Sequence, residues 1–212
     1  MSETSVHGGS LKPSFQDENR TNLHDQRPAS PLNGGQHFKP GDMLIMSHSV
    51  LKTTAHKASA SEMLDVIGPH IQHLTALSNA DDDYCLIRSN FPAGVVVPIH
   101  SHADRETFYI LGGELQGLWE DRWMTLVAGD VFDVPGGTRH AWRNTSGAPV
   151  SLIIVTSMRL GRFLRDIGRP LATVEPGPPK PADLQRLVAT SQAYGYWLGS
   201  PADNAAVGIS LG

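Results

Sequence analysis

A single cysteine, Cys85, stands in the 212 residues, which excludes an intrachain disulfide and a zinc site built on several thiolates. Its neighbours, DYCLIRS, have strand character, so a buried and inert thiol is expected there rather than a nucleophile. Long apolar runs are also missing. The longest, GVVV and SLIIV, fall far short of the ~20 residues needed to cross a bilayer. Basic residues are in no surplus: 17 Lys and Arg face 21 Asp and Glu, a formal charge of −4. With a pI near 6.2, DNA, RNA and anionic membranes are not expected partners. The opening MSETSVHGGS lacks the basic start and apolar stretch of a signal peptide, so the cytoplasm is the expected location. The Asn-x-Ser/Thr triplets at Asn19 and Asn144 then read as chance matches.

What is present divides the chain into three. Residues 1–40 are rich in Ser, Gly, Pro, Asn and Asp and poor in large apolar residues, so they are expected to form a disordered N-terminal arm. Residues 41–158 carry the expected core. DMLIMSHSVL suits helix and strand equally, and SEMLDVIGPHIQHLTAL reads as a short helix followed by a strand after Gly68-Pro69. From Tyr84 onward, short β-branched or aromatic runs alternate with Gly, Pro, Asn and Asp, the pattern of an all-β sandwich or barrel. ILGGELQG reads as a hairpin turning at Gly112-Gly113, and VPGGTRH as a second sharp turn. Residues 159–212 read as a helical extension. RLGRFLRDIG gives a helix stopped at Gly168, and VEPGPPKP a linker. ADLQRLVATSQAYG gives a second helix, with Asp183 as N-cap and Gly195 as C-terminal cap. Leu184, Leu187, Val188 and Ser191 recur at helical spacing and are expected to pack on the β domain or on a partner subunit.

The stretch PIHSHADRETF holds the densest chemistry. If residues 95–102 are extended, His100 and His102 share a face with Val96 and Pro98. Two imidazoles about 7 Å apart along a strand can converge on one ion at about 2.0–2.1 Å from each. On the following run, Glu106, Phe108 and Ile110 point one way, and Thr107 and Tyr109 the other. His140, sharing a face with Trp142, is the candidate fourth ligand. Ordinary structural histidines in strands remain the competing explanation of each residue taken alone.

Taken together, these residues resemble the cupin family. GVVVPIHSHADRETFYILGG fits its first motif, G-x5-H-x-H-x3-E-x6-G, with Gly94, His100, His102, Glu106 and Gly113. GDVFDVPGGTRHAWRN fits the second, G-x5-P-x-G-x2-H-x3-N, with Gly129, Pro135, Gly137, His140 and Asn144. The resemblance implies a jelly-roll β-barrel with one divalent transition metal per chain (Fe, Mn, Ni, Co or Zn), held by His100, His102, Glu106 and His140. It also implies a homodimer, with residues 41–60 or the last helix as the contact. The glycines, Pro135 and Asn144 are expected to be structural.

Within the family the chain resembles monocupin, quercetinase-like dioxygenases, through IHSHADRETFYILGGELQ and the GRFLRDIGRP segment. That implies an oxidoreductase acting with dioxygen on a small enolisable or aromatic substrate, flavonol-like or diketone-like. Glu106 would double as a catalytic base. Val96, Pro98, Phe108, Ile110 and Trp142 would line the substrate pocket, although aromatics at strand spacing equally make a plain core. An oxygen-independent isomerase, lyase or decarboxylase, and a non-catalytic small-molecule binder, stay open. The mainly apolar inward positions speak against sugar phosphates.

Overall fold

A computed structural model describes residues 61–78 and 83–210. The arm at 1–40, the DMLIMSHSVL segment and the dimer contact expected at 41–60 lie outside the described residues.

Among the described residues, the alternation of apolar and polar residues builds twelve strands. They are β1 (Met63–Asp65), β2 (His70–His73), β3 (Tyr84–Phe91), β4 (Val96–Ser101), β5 (Glu106–Gly112) and β6 (Glu114–Trp119). Then follow β7 (Arg122–Val127), β8 (Val131–Val134), β9 (His140–Arg143), β10 (Val150–Ser157), β11 (Arg169–Pro170) and β12 (Trp197–Leu198). They form two antiparallel sheets, ordered β11-β1-β2-β3-β10-β5-β8 and β12-β4-β9-β6-β7. The core lies between them. Ile71, Ile87, Phe108 and Leu152 from the larger sheet meet Leu115, Leu126 and Trp142 from the smaller. Strand pairing stays within each sheet, so among the described residues the expected jelly-roll barrel is seen as two facing sheets. The C-terminal helices expected from the sequence are present. The helices α1 (Met158–Ile167), α2 (Pro181–Tyr194) and α3 (Pro201–Ala206) make it a mixed structure.

Three local expectations change. Residues 63–73 form the hairpin β1–β2 with no helix, turning through Ile67 and Gly68 at φ 61 and 122. The Asp65 carboxylate accepts the Gly68 N–H at 3.0 Å and holds that turn. Gly112-Gly113 is not a hairpin turn, because β5 and β6 belong to different sheets. Gly113, at φ 88, carries the chain from one sheet to the other, and a Cβ there would lie 2.9 Å from the Pro149 carbonyl oxygen. Asp183 is not the N-cap of α2. Lys180 holds that position, and Pro181 fills the first turn, where its missing N–H is no loss.

The helices are fixed by specific contacts. Ser157 caps α1, its hydroxyl accepting the Leu160 N–H at 3.1 Å. α1 presses so closely on β3 that a Cβ at Gly161 would lie 2.6 Å from Cys85 Sγ. Cys85 itself is fully buried, and burial pushes its thiol pKa up. On α2 it is Leu187 that packs against Leu160, Phe163 and Ile167, while Leu184 and Val188 remain exposed. The tail then returns to the sheets as β12, pairing Leu198 with His100 and Trp197 with Ser101. Asn204, fully buried on α3, accepts the Ile99 N–H at 3.0 Å. The C-terminal segment therefore completes the edge of the strand that carries the first histidine.

Candidate metal centre

Pro98 removes one ladder donor from β4, and the pairing of β4 with β9 shifts register between Val97 and His100. That irregularity resets the alternation. Before it, Val97 packs against the main core while Val96 is 39% exposed. After it, Ile99 joins a separate cluster with Leu118 and Ala141, and His100 turns to the interior. The expectation that Val96, Pro98, His100 and His102 share one face of a regular strand therefore fails at the bulge. The two histidines nevertheless converge, with ring centroids 5.7 Å apart. β5 supplies Glu106 and β9 supplies His140, both buried, as is His102.

His100, His102, Glu106 and His140 form one cluster, their ligand atoms all within 4.8 Å of one another. The chemistry of this donor set fits a cation. Nδ1 of His100 lies 2.8 Å from the Pro98 carbonyl oxygen, Nδ1 of His102 2.9 Å from that of Asp104, and Nδ1 of His140 2.9 Å from that of Thr138. A carbonyl oxygen only accepts, so in each ring Nδ1 carries the proton and the neutral imidazole turns an Nε2 lone pair inward. Oε2 of Glu106 lies 3.2 Å from His102 Nε2 and 3.0 Å from His140 Nε2. Lone pairs and a carboxylate at such range repel unless protons or a metal ion stand between them. An ion ~2.0–2.2 Å from each ligand spans pairs up to about 4.2 Å apart, so small side-chain shifts close the set around it.

Without an ion, protons take over part of its role between these groups. Burial and the neighbouring His140 and His102 push the His100 pKa down to about 3, so this imidazole stays neutral and able to ligate. Burial alone would raise the Glu106 carboxyl, but in the ion-free cluster N–H donation from Nε2 of His102 and His140 outweighs it and holds the group far below the usual carboxylate range. Burial likewise would lower His102, yet Glu106 and Asp104 raise it. Three neutral imidazoles and one carboxylate would leave a divalent ion with net charge about +1.

Two glycines set the spacing between the ligand loops. The Gly137 N–H donates to the His102 carbonyl at 2.6 Å, and a Cβ on Gly136 would lie 2.1 Å from the Ala103 carbonyl oxygen. Asn144, expected to be structural, closes the loop after β9. Its amide donates to the carbonyls of Phe91, Pro92 and Ala148 at 2.9, 3.1 and 2.7 Å.

A cavity of about 250 Å³ opens onto His100, His102 and Glu106, while His140 does not line it. Val96, Pro98, Phe108 and Trp142 are among the residues that line it, with the Phe108 and Trp142 ring centroids 4.2 Å apart. Ile110 is not one of them. Two residues further along β5 it is wholly buried in the core, opposite Leu152 of β10. The opposing wall comes from the C-terminal extension, with Leu160, Phe163, Leu164, Ile167, Leu187, Ser191 and Tyr196. None of these was legible as a pocket residue, because helical spacing alone does not say which cavity a face covers. Asp104 was also missed, although it sits between two motif ligands. Its buried carboxylate accepts from Arg159 at 3.0 Å, from the Tyr196 hydroxyl at 2.6 Å and from Ser157.

With this geometry in place, comparison with known proteins adds one assignment. Residues 87–156 match the family model Cupin_2, Cupin domain. The matched stretch contains all four clustered residues and both motifs, Gly94–Gly113 and Gly129–Asn144. No curated protein matches the chain. Among solved structures it is similar to a predicted oxalate decarboxylase from Thermotoga maritima, at 21% identity over 49% of this chain and 98% of that one, with TM-score 0.45. It is also similar to KdgF from Halomonas sp. (20% identity, 50% and 94% covered, TM-score 0.44). The polyketide cyclase RemF from Streptomyces resistomycificus gives 14% identity, 50% and 80% covered, and TM-score 0.44. Likenesses of this order leave reaction and substrate open. No helix among the described residues is long and apolar enough to cross a membrane.

Proposed function

We propose that the chain is a metal-dependent enzyme that acts on a small, largely apolar, enolisable compound without inserting oxygen: an isomerase, lyase or decarboxylase. The observation that carries this reading is a set of three imidazoles and a carboxylate opening onto a cavity walled by Phe108, Trp142, Phe163 and Leu187. His100, His102, Glu106 and His140 would hold one divalent transition metal, and the imidazole-rich set suits Zn, Fe, Ni, Co or Mn. Such an ion supplies Lewis acidity, polarising a bound carbonyl and easing loss of a proton beside it.

The chain's own residues then have defined tasks. The carbonyls of Pro98, Asp104 and Thr138 hold the three imidazoles in the ligating tautomer. The apolar walls exclude water and set a flat substrate against the ligand face. Glu106 is a poor base while it faces two imidazoles. A base role at Oε2 requires it to leave those contacts, so its first task is ligation.

The size of the cavity argues against a flavonol. About 250 Å³ lies below the ~300–1,000 Å³ of pockets for drug-sized ligands. A dioxygenase acting on a smaller diketone is the second reading, favoured by the mixed imidazole and carboxylate donors, which also suit non-haem oxygen chemistry. The partners proposed are thus a small-molecule substrate, with dioxygen only in the second reading, and a second copy of the chain.

The test is metal-reconstituted protein incubated with small 1,3-diketones and 2-oxo acids. Metal analysis, oxygen uptake and deuterium incorporation next to the carbonyl are followed together. About one metal ion per chain, with deuterium exchange or product formed under nitrogen, supports the first reading. Stoichiometric oxygen uptake transfers support to the dioxygenase. Ligand-induced stabilisation with neither activity makes the protein a binder.

A further inference from the structure

Ser191 lies on α2, 1% exposed, and its hydroxyl has no hydrogen-bond partner. It is the one such buried side-chain atom among the described residues. A serine inside a helix ordinarily turns its hydroxyl back to the carbonyl one turn earlier, and Ser191 makes no such bond. An unpaired buried hydroxyl forfeits its bonds to water without replacement, so its surroundings should reveal what pairs with it.

Ser191 is one of the residues that line the cavity. Ser191 and Leu187, one turn apart, form part of its α2 wall, and His100, His102 and Glu106 lie on the sheet side. Two other polar side chains that line the cavity are already engaged. The Tyr196 hydroxyl donates to Asp104 at 2.6 Å, and the Ser89 hydroxyl donates to the His70 carbonyl at 3.2 Å. The other helical contributors to the cavity are apolar: Leu160, Phe163, Leu164, Ile167 and Leu187.

We infer that Ser191 is a substrate-recognition residue, its hydroxyl bonding a neutral carbonyl or hydroxyl on a small ligand whose body is otherwise apolar. A charged group is excluded at that wall, because one hydroxyl cannot offset the desolvation of a buried ion. This narrows the substrate class proposed above to a compound with two polar regions, one facing the histidines and one facing Ser191. It rests on that proposal for the first region only. The second needs nothing but the cavity.

The probes are 4-methylphenol and toluene, which differ by one hydroxyl. Each is titrated by protein-observed NMR into the zinc-loaded full chain and again after chelation. The wild type is expected to bind 4-methylphenol about twofold to tenfold tighter than toluene, the range for one net hydrogen bond. Ser191→Ala should erase that preference, leave toluene affinity unchanged and melt no lower than wild type. Ser191→Thr, which keeps the hydroxyl, should retain the preference. A preference that survives in Ser191→Ala, or none in the wild type, overturns the inference, as does failure of both probes to bind. The chelated arm separates the two proposals. Loss of zinc binding alone removes the metal reading, while the Ser191 preference stays measurable without the ion.

Discussion

The Tyr196 hydroxyl donates to the Asp104 carboxylate at 2.6 Å, and the Asp104 backbone carbonyl holds Nδ1 of His102 at 2.9 Å. The C-terminal extension is thereby tied, through one residue, to the orientation of a clustered imidazole. The Tyr196 ring also lies 5.1 Å from the His102 ring. Tyr196→Phe keeps that ring and removes the tie, leaving Asp104 with Ser157 and Arg159. Zinc affinity, measured by chelator competition, should fall about tenfold, the low end of outer-partner losses at metal sites. Tyr194→Phe, which removes only an exposed bond to Asp166, should leave zinc affinity unchanged.

Removing a ligand should separate metal binding from folding. His102→Ala and His140→Ala each take one donor from a set whose lone pairs repel when no cation is present. Metal content should drop from about one ion per chain to near zero, while the metal-free variants stay folded. Wild type should gain about 2.7 kcal/mol of stability at metal concentrations a hundred times Kd. Neither variant should show that rise in melting temperature on metal addition. Full occupancy in either one removes that residue from the ligand set.

The four clustered residues were legible because their chemistry is unusual at their spacing, and two motifs of five fixed positions constrain one another. The course of the backbone between them was less legible. Strict alternation put Val96 on the face of His100, but the bulge at Pro98 handed the core position to Val97. Gly112-Gly113 carried a hairpin signature, yet a glycine pair marks a sharp change of direction without saying which strand is paired next. Ile110 has the same parity as Phe108 but lies one pleat too far along to reach the cavity. Ser191 was legible only as part of a packing face and Tyr196 not at all, since their places at the cavity depend on where α2 and the segment after it dock. The capping box of Ser200 and Asp203 that opens α3 was written in SPAD and passed unread.

Gly136 and Gly137 are adjacent but glycine for different reasons, and substitution should show it. Gly137 has φ 83 and open space where a Cβ would sit, so alanine there meets only the left-handed penalty of ~1–2 kcal/mol. Gly137→Ala should melt somewhat lower and keep its metal. At Gly136 the obstacle is the Ala103 backbone oxygen at 2.1 Å, next to His102, and backbone cannot swing aside. Gly136→Ala should destabilise by about 3 kcal/mol, the upper end of typical overpacking, and lower zinc affinity as well. Urea unfolding with parallel zinc titration distinguishes the two. Equal effects on both measurements would mean that the close approach of the ligand loops is not enforced by Gly136.

Acid sensitivity should have a source away from the metal ligands, at His73 of β2. Its Nε2 lies 3.0 Å from the Gly161 carbonyl oxygen, so the neutral ring donates there and braces α1 against the sheet. Burial lowers its pKa below the ordinary 6.5, the charge of Arg165 lowers it further, and the Gly161 bond only partly opposes them. Below pH 6.5 the unfolded chain therefore takes up a proton that the folded chain does not, and stability falls as pH drops. Above 6.5 both states leave the group neutral and its contribution is flat. His73→Gln offers Gly161 an amide donor that does not titrate. Melting temperatures of both proteins between pH 7.5 and 5.5 should show a shallower decline for the variant. The ligand histidines contribute to both curves and cancel in the difference. Parallel curves would place the acid sensitivity elsewhere.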